Sequence, residues 1–332
     1  MKNSTEKNGI KKIALLTSGG DSPGMNAAIR AIVRSAIYNE LNVVGILNGY
    51  TGLLNKEFVK MESHSVSKIL SRGGTILKSS RCPDFHNKEA RQHAVKNMEE
   101  SGVNGLIVLG GDGSFKGADL LGKEFGFPVV GAACTIDNDI YGTDFTIGFD
   151  TALNTAVTAI DKIRDTADSH NMLFFVEVMG RQSGFIALHT AIATGAEAVL
   201  IPETHTTIDQ LCNYLAHGRR KNKTSGIIVV AEGDEEGGAA EIAAKVKNQL
   251  PDYETRITTL GHIQRGGPPT CNDRVLASIL GYECVKTLLE GKSGVMVGQI
   301  HQKIVLTPFE DAYSKHDEID KEWVKIGKVI ST

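Results

Sequence analysis

Asp112 lies inside the run Gly110-Gly111-Asp112-Gly113-Ser114, and the later run Thr135-Ile136-Asp137-Asn138-Asp139 adds two more carboxylates. A glycine-rich turn leading into a helix can point backbone N–H groups at a phosphate. One carboxylate beside it can take a proton from an attacking hydroxyl while another helps hold Mg²⁺ against a nucleotide. That is the equipment of a phosphoryl transferase. If residues 135 to 139 are extended, Asp137 and Asp139 point to the same side, because side-chain direction alternates along a strand. Each part is weak alone: residues 110 to 117 match neither the P-loop nor the dinucleotide fingerprint, and Asp-Asn-Asp commonly caps a loop. Three acids meeting without a cation repel one another, and Mg²⁺ removes that cost, so the set says more than its members.

Further along, Met179-Gly180-Arg181 closes an apolar run, and Gly261-His262-Ile263-Gln264-Arg265-Gly266-Gly267 follows another. Guanidinium groups bind phosphate bidentately, so Arg181 and Arg265, with His262, suit a sugar phosphate. The plainer readings are a surface ion pair for each arginine and a satisfied loop histidine for His262. Glu232 suits a sugar hydroxyl or a local cap. Arg30, Arg34, Arg164, Lys221 and Lys223 form a second, scattered basic set, for which spacing alone favours a solvated face.

These residues fall at the ends of short apolar runs: Ile13 to Leu16, Val43 to Ile46, Leu106 to Leu109, Val129 to Val130, Leu173 to Val178 and Ile227 to Val230. Helical patterns follow them, and the alternation reads as βαβ units in parallel sheets, with ligand sites where strand carboxyl ends meet helix amino ends. The first helix is expected after a Ser22-Pro23 cap, with Ile29, Ile32, Val33, Ala36 and Ile37 as its apolar stripe. Others are expected from Thr151 to about Arg164, Ser183 to Thr194, Gly238 to Leu250 and Asp273 to Glu290, with residues 115 to 122 following the glycine turn. Leu15 to Asp21 echoes Val108 to Ser114, and two such turns facing one ligand would explain the echo.

A chain of 332 residues with 41% hydrophobic side chains and 36 glycines can bury a sizeable core and is expected to form two α/β lobes. A formal net charge of -3 argues against nucleic acid or an anionic membrane as partner. The five cysteines, Cys82, Cys134, Cys212, Cys271 and Cys284, make no zinc-type spacing and fit reduced thiols. No apolar stretch approaches a membrane span, and Met1 to Asn8 reads as a frayed polar leader; a cytoplasmic protein is expected.

Gly19-Gly20-Asp21-Ser22-Pro23-Gly24-Met25-Asn26, the Gly-Gly-Asp-Gly-Ser turn, Thr135 to Asp139, Met179 to Arg181 and Gly261 to Gly267, in that order, resemble the bacterial type of ATP-dependent 6-phosphofructokinase over nearly the whole chain. The resemblance implies two Rossmann-like three-layer α/β/α domains with mostly parallel sheets and an active site in the cleft between them. A larger nucleotide-binding domain would comprise residues 1–148 plus 264–314, and a smaller sugar-phosphate domain residues 149–263 plus 315–332. It implies Mg²⁺ and ATP, fructose 6-phosphate as acceptor, and a homotetramer with active sites shared between subunits. Asp137 would be the base, with Thr135 and Arg181 also catalytic and Asp112 and Asp139 organising the metal. Gly20, Tyr50, Arg81, Cys82, Gly111, Asp112, Gly113, Ser114 and Gly117 would hold ATP. Thr135, Asp137, Asp139, Met179, Gly180, Arg181, Glu232, His262 and Arg265 would meet the sugar phosphate, joined by Arg256 from a neighbouring subunit. Arg30, Arg34, Arg164, Gly195, Glu197, Lys221 and Lys223 match an effector site for ADP or phosphoenolpyruvate.

Several positions depart from that pattern. Met172 stands where the family usually has a second cross-subunit arginine, which removes a charge-assisted contact of about 1.5 to 3 kcal/mol. Cys134 replaces a glycine, His86 replaces a nucleotide-side arginine, and Ser63 and Lys68 replace an arginine and an aspartate of the effector site. Neither marker of the pyrophosphate-using branch is present, so ATP is the expected donor. Two further readings stay open at this point: a catalytically weakened paralogue that senses sugar phosphate or nucleotide, and a kinase of a different ketose phosphate.

Overall fold

The computed structural model describes residues 9–220 and 225–331. It forms two compact units, one of Met1–Thr135, Ile140–Asp150 and Arg265–Asp317, the other of Ile136–Asp139, Thr151–Gln264 and Glu318–Thr332. The leader reading and the residues Lys221 and Lys223 lie outside the described residues.

The first unit opens with β1 (Lys12–Thr17), α1 (Met25–Tyr38), β2 (Asn42–Ile46), α2 (Gly49–Leu54), β3 (Phe58–Met61) and α3 (Lys88–Glu100). It continues with β4 (Gly105–Gly110), α4 (Asp112–Phe125), β5 (Val129–Thr135) and the two-residue β6 (Ile147–Gly148). The second unit carries most of α5 (Phe149–His170), then β7 (Met172–Val178), α6 (Phe185–Thr194), β8 (Ala198–Leu200), α7 (Ile208–Arg220), β9 (Gly226–Ala231), α8 (Ala239–Gln249) and β10 (Glu254–Thr259). The first unit resumes with α9 (Cys271–Leu289), β11 (Val295–Ile300), β12 (Lys303–Pro308) and α10 (Phe309–Ser314), and α11 (Lys321–Ile330) belongs to the second.

Among the described residues the first sheet runs β12-β11-β5-β4-β1-β2-β3, with β6 paired to the end of β5. Its interior pairs are parallel, while β3 and β12 close the two edges antiparallel. Every residue of β4 is buried, which is why it reads as a continuous apolar run rather than an alternating one. One core lies under α1 and α9, around Ile29, Val33, Leu280 and Val285, and the other under α3, α4 and α10, around Met98, Phe115 and Phe309. The α1–α9 contact is close because Gly281 has no side chain: a Cβ there would come within 2.8 Å of the Ala28 carbonyl oxygen. The second sheet, β10-β7-β9-β8, is parallel throughout, packed by Phe175, Val230, Leu211 and Ile242.

Three local expectations change. Ser22 does not cap α1; its hydroxyl donates to the Ile147 carbonyl at 2.9 Å, and the helix starts after Gly24, whose positive φ of 106° turns the chain into it. The helix expected from residue 115 begins at Asp112 itself. The stretch 135–139 is not extended: β5 ends at Thr135 and Asn138 adopts φ 54°, so the alternation that would align Asp137 with Asp139 is broken. Residues 136–139 fall in the second unit, where Asp137 meets Ser183 and Arg181, and Asp150 falls in the first, accepting a short hydrogen bond from Thr270.

Candidate active site

In the first unit the two Gly-Gly-Asp turns meet. The Ser18 N–H donates to the Leu109 carbonyl at 2.9 Å, and a Cβ on Gly110 would stand 2.5 Å from Ser18 O and 2.4 Å from Ser114 Oγ. A Cβ on Gly19 would lie 3.5 Å from the same Oγ, so the buried Ser114 hydroxyl fills the space between the turns. Gly111 caps α4, Asp112 is its first residue, and Gly113 has no neighbour within 4 Å of a Cβ position. An open helix amino end is a ready anion site, because its N–H groups lack intrahelical partners and carry the positive end of the helix dipole.

Of the other nucleotide-side candidates, Tyr50 is 5% exposed, stacks on Phe85 with ring centroids 4.1 Å apart, and donates to the Ser114 carbonyl at 2.6 Å. Burial pushes its hydroxyl well above the ordinary phenolic range. It therefore braces α4 from behind, and Gly117 makes room for it, since a Cβ there would sit 3.0 Å from the ring. Arg81 is exposed, Cys82 half-buried, and His86 exposed at the end of the short helical turn Pro83–His86. Cys134 is buried, with its thiol pushed well above the usual range by desolvation.

In the second unit Asp137 is 3% exposed and faces Arg181, whose Nε stands 3.6 Å from Asp137 Oδ2. The Arg181 side chain is 59% exposed, so this pair is open to solvent on one side. Arg181 holds φ 54°, a left-handed conformation uncommon outside glycine. Glu232 offsets that strain, its Oε1 accepting from Arg181 N–H at 2.8 Å and from Gly180 N–H at 3.3 Å. Sequence reasoning missed Ser183: its buried hydroxyl donates to the Asp137 carbonyl at 3.0 Å, and its N–H donates to the Gly180 carbonyl at 2.9 Å. Its proximity to Arg181 was the only available signal. Asp139 is half-buried in the same segment and Met179 is buried.

Thr135, at the end of β5, receives the Thr146 hydroxyl on its carbonyl at 2.7 Å. Arg265 ends the turn Gly261–Arg265, on which His262 is exposed. The Arg265 guanidinium lies across Gly20 of the first turn, where a Cβ would come within 2.9 Å of Nη1. Arg256 is exposed on β10 and forms a short contact with Glu254 of its own strand, while Met172 opens β7 opposite Glu254.

Arg30 and Arg34 lie on α1 of the first unit. Arg164 of the second unit donates to the carbonyls of Thr194 at 2.7 Å and Gly195 at 3.2 Å and stands 3.6 Å from Glu197. Ser63 and Lys68 are both exposed.

Among the described residues no three His, Cys, Asp or Glu side chains assemble as a metal cage. Mg²⁺ on a nucleotide does not need one, because it keeps waters and phosphate oxygens and takes one or two carboxylates. Asp112, half-buried at the open end of α4, fits that demand.

Fold and turns together define an α/β phosphotransferase. Residues 12–288 match the family model described as Phosphofructokinase, and the chain belongs to that family. It is 52% identical to ATP-dependent 6-phosphofructokinase 2 of Bacteroides thetaiotaomicron over 322 residues, 97% of this chain and 99% of that one. It is 48% identical to ATP-dependent 6-phosphofructokinase 1 of Thermus thermophilus, covering 97% and 100% of the two chains. The structure of phosphofructokinase from Saccharomyces cerevisiae superposes with a TM-score of 0.87 at 36% identity, over 96% of this chain and 46% of that one.

Proposed function

We propose that this protein transfers the terminal phosphoryl group of ATP to the 1-hydroxyl of fructose 6-phosphate, giving fructose 1,6-bisphosphate and ADP in glycolysis. The observation that carries this is the match along almost the full length of both chains to ATP-dependent 6-phosphofructokinases at about half identity. The reading of the chain as a sensor without catalysis has no comparable support.

In the proposed reaction the Asp137 carboxylate takes the proton of the 1-hydroxyl as that oxygen bonds to the γ-phosphorus and the bond to the bridging oxygen of ADP breaks. Arg181, held by Glu232, stabilises the charge that develops on the transferring group. Thr135 stands at the strand end just before this segment. The N–H groups of residues 111 to 114 and the turn at Gly20 hold the donor phosphates, with Arg81 and Cys82 further along the nucleotide. Asp112 and Asp139 are the residues that would hold Mg²⁺, which when bound would supply neutralisation of charge on the donor phosphates. Met179, Gly180, Glu232, His262 and Arg265 take the sugar phosphate, with Arg256 offered to a neighbouring subunit of a homotetramer. Arg30, Arg34, Arg164, Gly195, Glu197, Lys221 and Lys223 are the residues of an effector site for ADP or phosphoenolpyruvate, a reading supported by the approach of Arg164 to Glu197 and to the Gly195 carbonyl; Lys68 in place of an acid weakens activation by ADP. The same reading includes a cytoplasmic setting, since the glycolytic reaction acts on phosphorylated metabolites. No helix among the described residues is long and apolar enough to cross a membrane.

An assay coupled to ADP release, run with fructose 6-phosphate and other ketose phosphates, tests the reading. Turnover should require ATP and be highest with fructose 6-phosphate, and Met172→Arg should lower KM for that sugar about tenfold by adding one charge-assisted contact. No ADP release from any acceptor would sink the proposal.

A further inference from the structure

We propose that Asn26 and Gly73 are positioning residues for Arg265, seating an arginine of the sugar-phosphate set from the nucleotide side of the first unit. The inference rests on the reading of Arg265 as a phosphate-gripping residue.

Asn26 closes the first glycine motif, yet its side chain faces no open site. It is 1% exposed and spends its whole amide on one loop, donating from Nδ2 to the carbonyls of Arg72 at 3.0 Å and Gly73 at 3.2 Å while Oδ1 accepts from Ile76 N–H at 2.8 Å. One buried side chain thus fixes three backbone groups of residues 72 to 76. Gly73 in turn abuts the segment after Arg265: a Cβ on it would stand 2.5 Å from Gly267 O, closer than real Cβ atoms approach backbone, and a tight 3.1 Å from Gly267 N. Two residues before Gly267, the Arg265 guanidinium lies on Gly20, where a Cβ would come within 2.9 Å of Nη1 and 3.1 Å of Cζ and Nη2.

The run Arg265 to Gly267 is therefore gripped at both ends by glycines, Gly20 and Gly73, the second pinned by Asn26. Arg265 needs such a seat. Its Nε is buried without a hydrogen-bond partner among the described residues, so packing, not a hydrogen bond at Nε, sets the plane of the guanidinium fork. A fork grips phosphate through two parallel bonds only when that plane is fixed beforehand. A change in the 72–76 loop should then appear in the affinity for the sugar phosphate before it appears in the affinity for ATP.

Steady-state kinetics of the full chain tests this with Asn26→Asp, which keeps the acceptor for Ile76 but loses both donated bonds, and with Gly73→Ala, which adds one methyl against Gly267. Each should raise KM for fructose 6-phosphate about tenfold, the factor expected when two ordinary hydrogen bonds or their geometric equivalent are lost, with KM for ATP moving less than about twofold. In an Arg265→Ala background the Asn26→Asp effect on KM should vanish. Unchanged KM for the sugar phosphate, equal rises in both KM values, or an additive double mutant overturns the proposal. If Arg265→Ala alone leaves KM for fructose 6-phosphate intact, the role given to Arg265 itself has failed. Should Gly73→Ala not fold, the isosteric Asn26→Asp decides the matter.

Discussion

The glycine turns of the first unit and the Asp137–Arg181 segment of the second are built by opposite means. The first is made by omission: at Gly110, Gly20 and Gly73 there is no room for a side chain, and backbone or guanidinium groups occupy the space. The second is made by strain held in place, with Asn138 and Arg181 both at φ 54° and Glu232 and Ser183 bonding the neighbouring backbone. On the proposed reading, omission shapes a cradle for phosphates whose charge does the binding. Strain held by hydrogen bonds sets the direction of one functional side chain.

The contrast can be broken most decisively at Asp137. Asp137→Ser should lower kcat about 10²-fold or more with little change in KM for ATP, measured by ADP release; near-normal turnover would remove the base from this segment. In the cradle, Gly110→Ala meets backbone 2.5 Å away and should cost about 2 to 3 kcal/mol of stability, read from denaturant unfolding, whereas Gly113→Ala meets nothing within 4 Å and should stay within about 0.5 kcal/mol. Equal costs at the two glycines would show that omission is not what shapes the turn. Next in size, Glu232→Ala should lower kcat about tenfold by releasing the Arg181 backbone, with Glu232→Gln recovering much of the loss because its carbonyl still accepts.

The smallest effect concerns the second unit away from chemistry. His189 lies against Trp323, the one tryptophan of the chain, with ring centroids 5.0 Å apart, and burial holds its imidazole below the usual 6.5. Below that pH the unfolded chain binds a proton that the folded one resists, so the stability of the α6–α11 contact is complete above it and falls as pH drops. Tryptophan emission should titrate with a midpoint below 6.5, and His189→Gln should abolish the transition; an unchanged titration in the variant would assign it elsewhere.

The same contrast explains what the residues disclosed before any fold was known. Gly-Gly-Asp turns after apolar runs are visible because omission leaves a letter in the sequence, and β4 and β9 are visible because strands buried on both faces read as unbroken apolar runs. Asn138 left only a weak letter, since asparagine tolerates the left-handed region without requiring it, and the expected alternation of Asp137 and Asp139 failed there. Edge strands β3 and β12 were missed because their burial is partial and mixed. Tyr50 could be named but not placed, since a hydroxyl that braces a helix from behind looks the same in sequence as one that touches a ligand.

The contact of α9 with α1 also has a consequence for biosynthesis. Leu280, Cys284, Val285 and Leu288 complete a core that Ile29, Ile32 and Val33 begin about 250 residues earlier. On the ribosome the amino-terminal α1 must therefore wait, its apolar face uncovered, while the whole excursion through residues 151–264 is translated. A chain stalled before α9 would emerge with that face bare, making this stretch the natural point for chaperone capture.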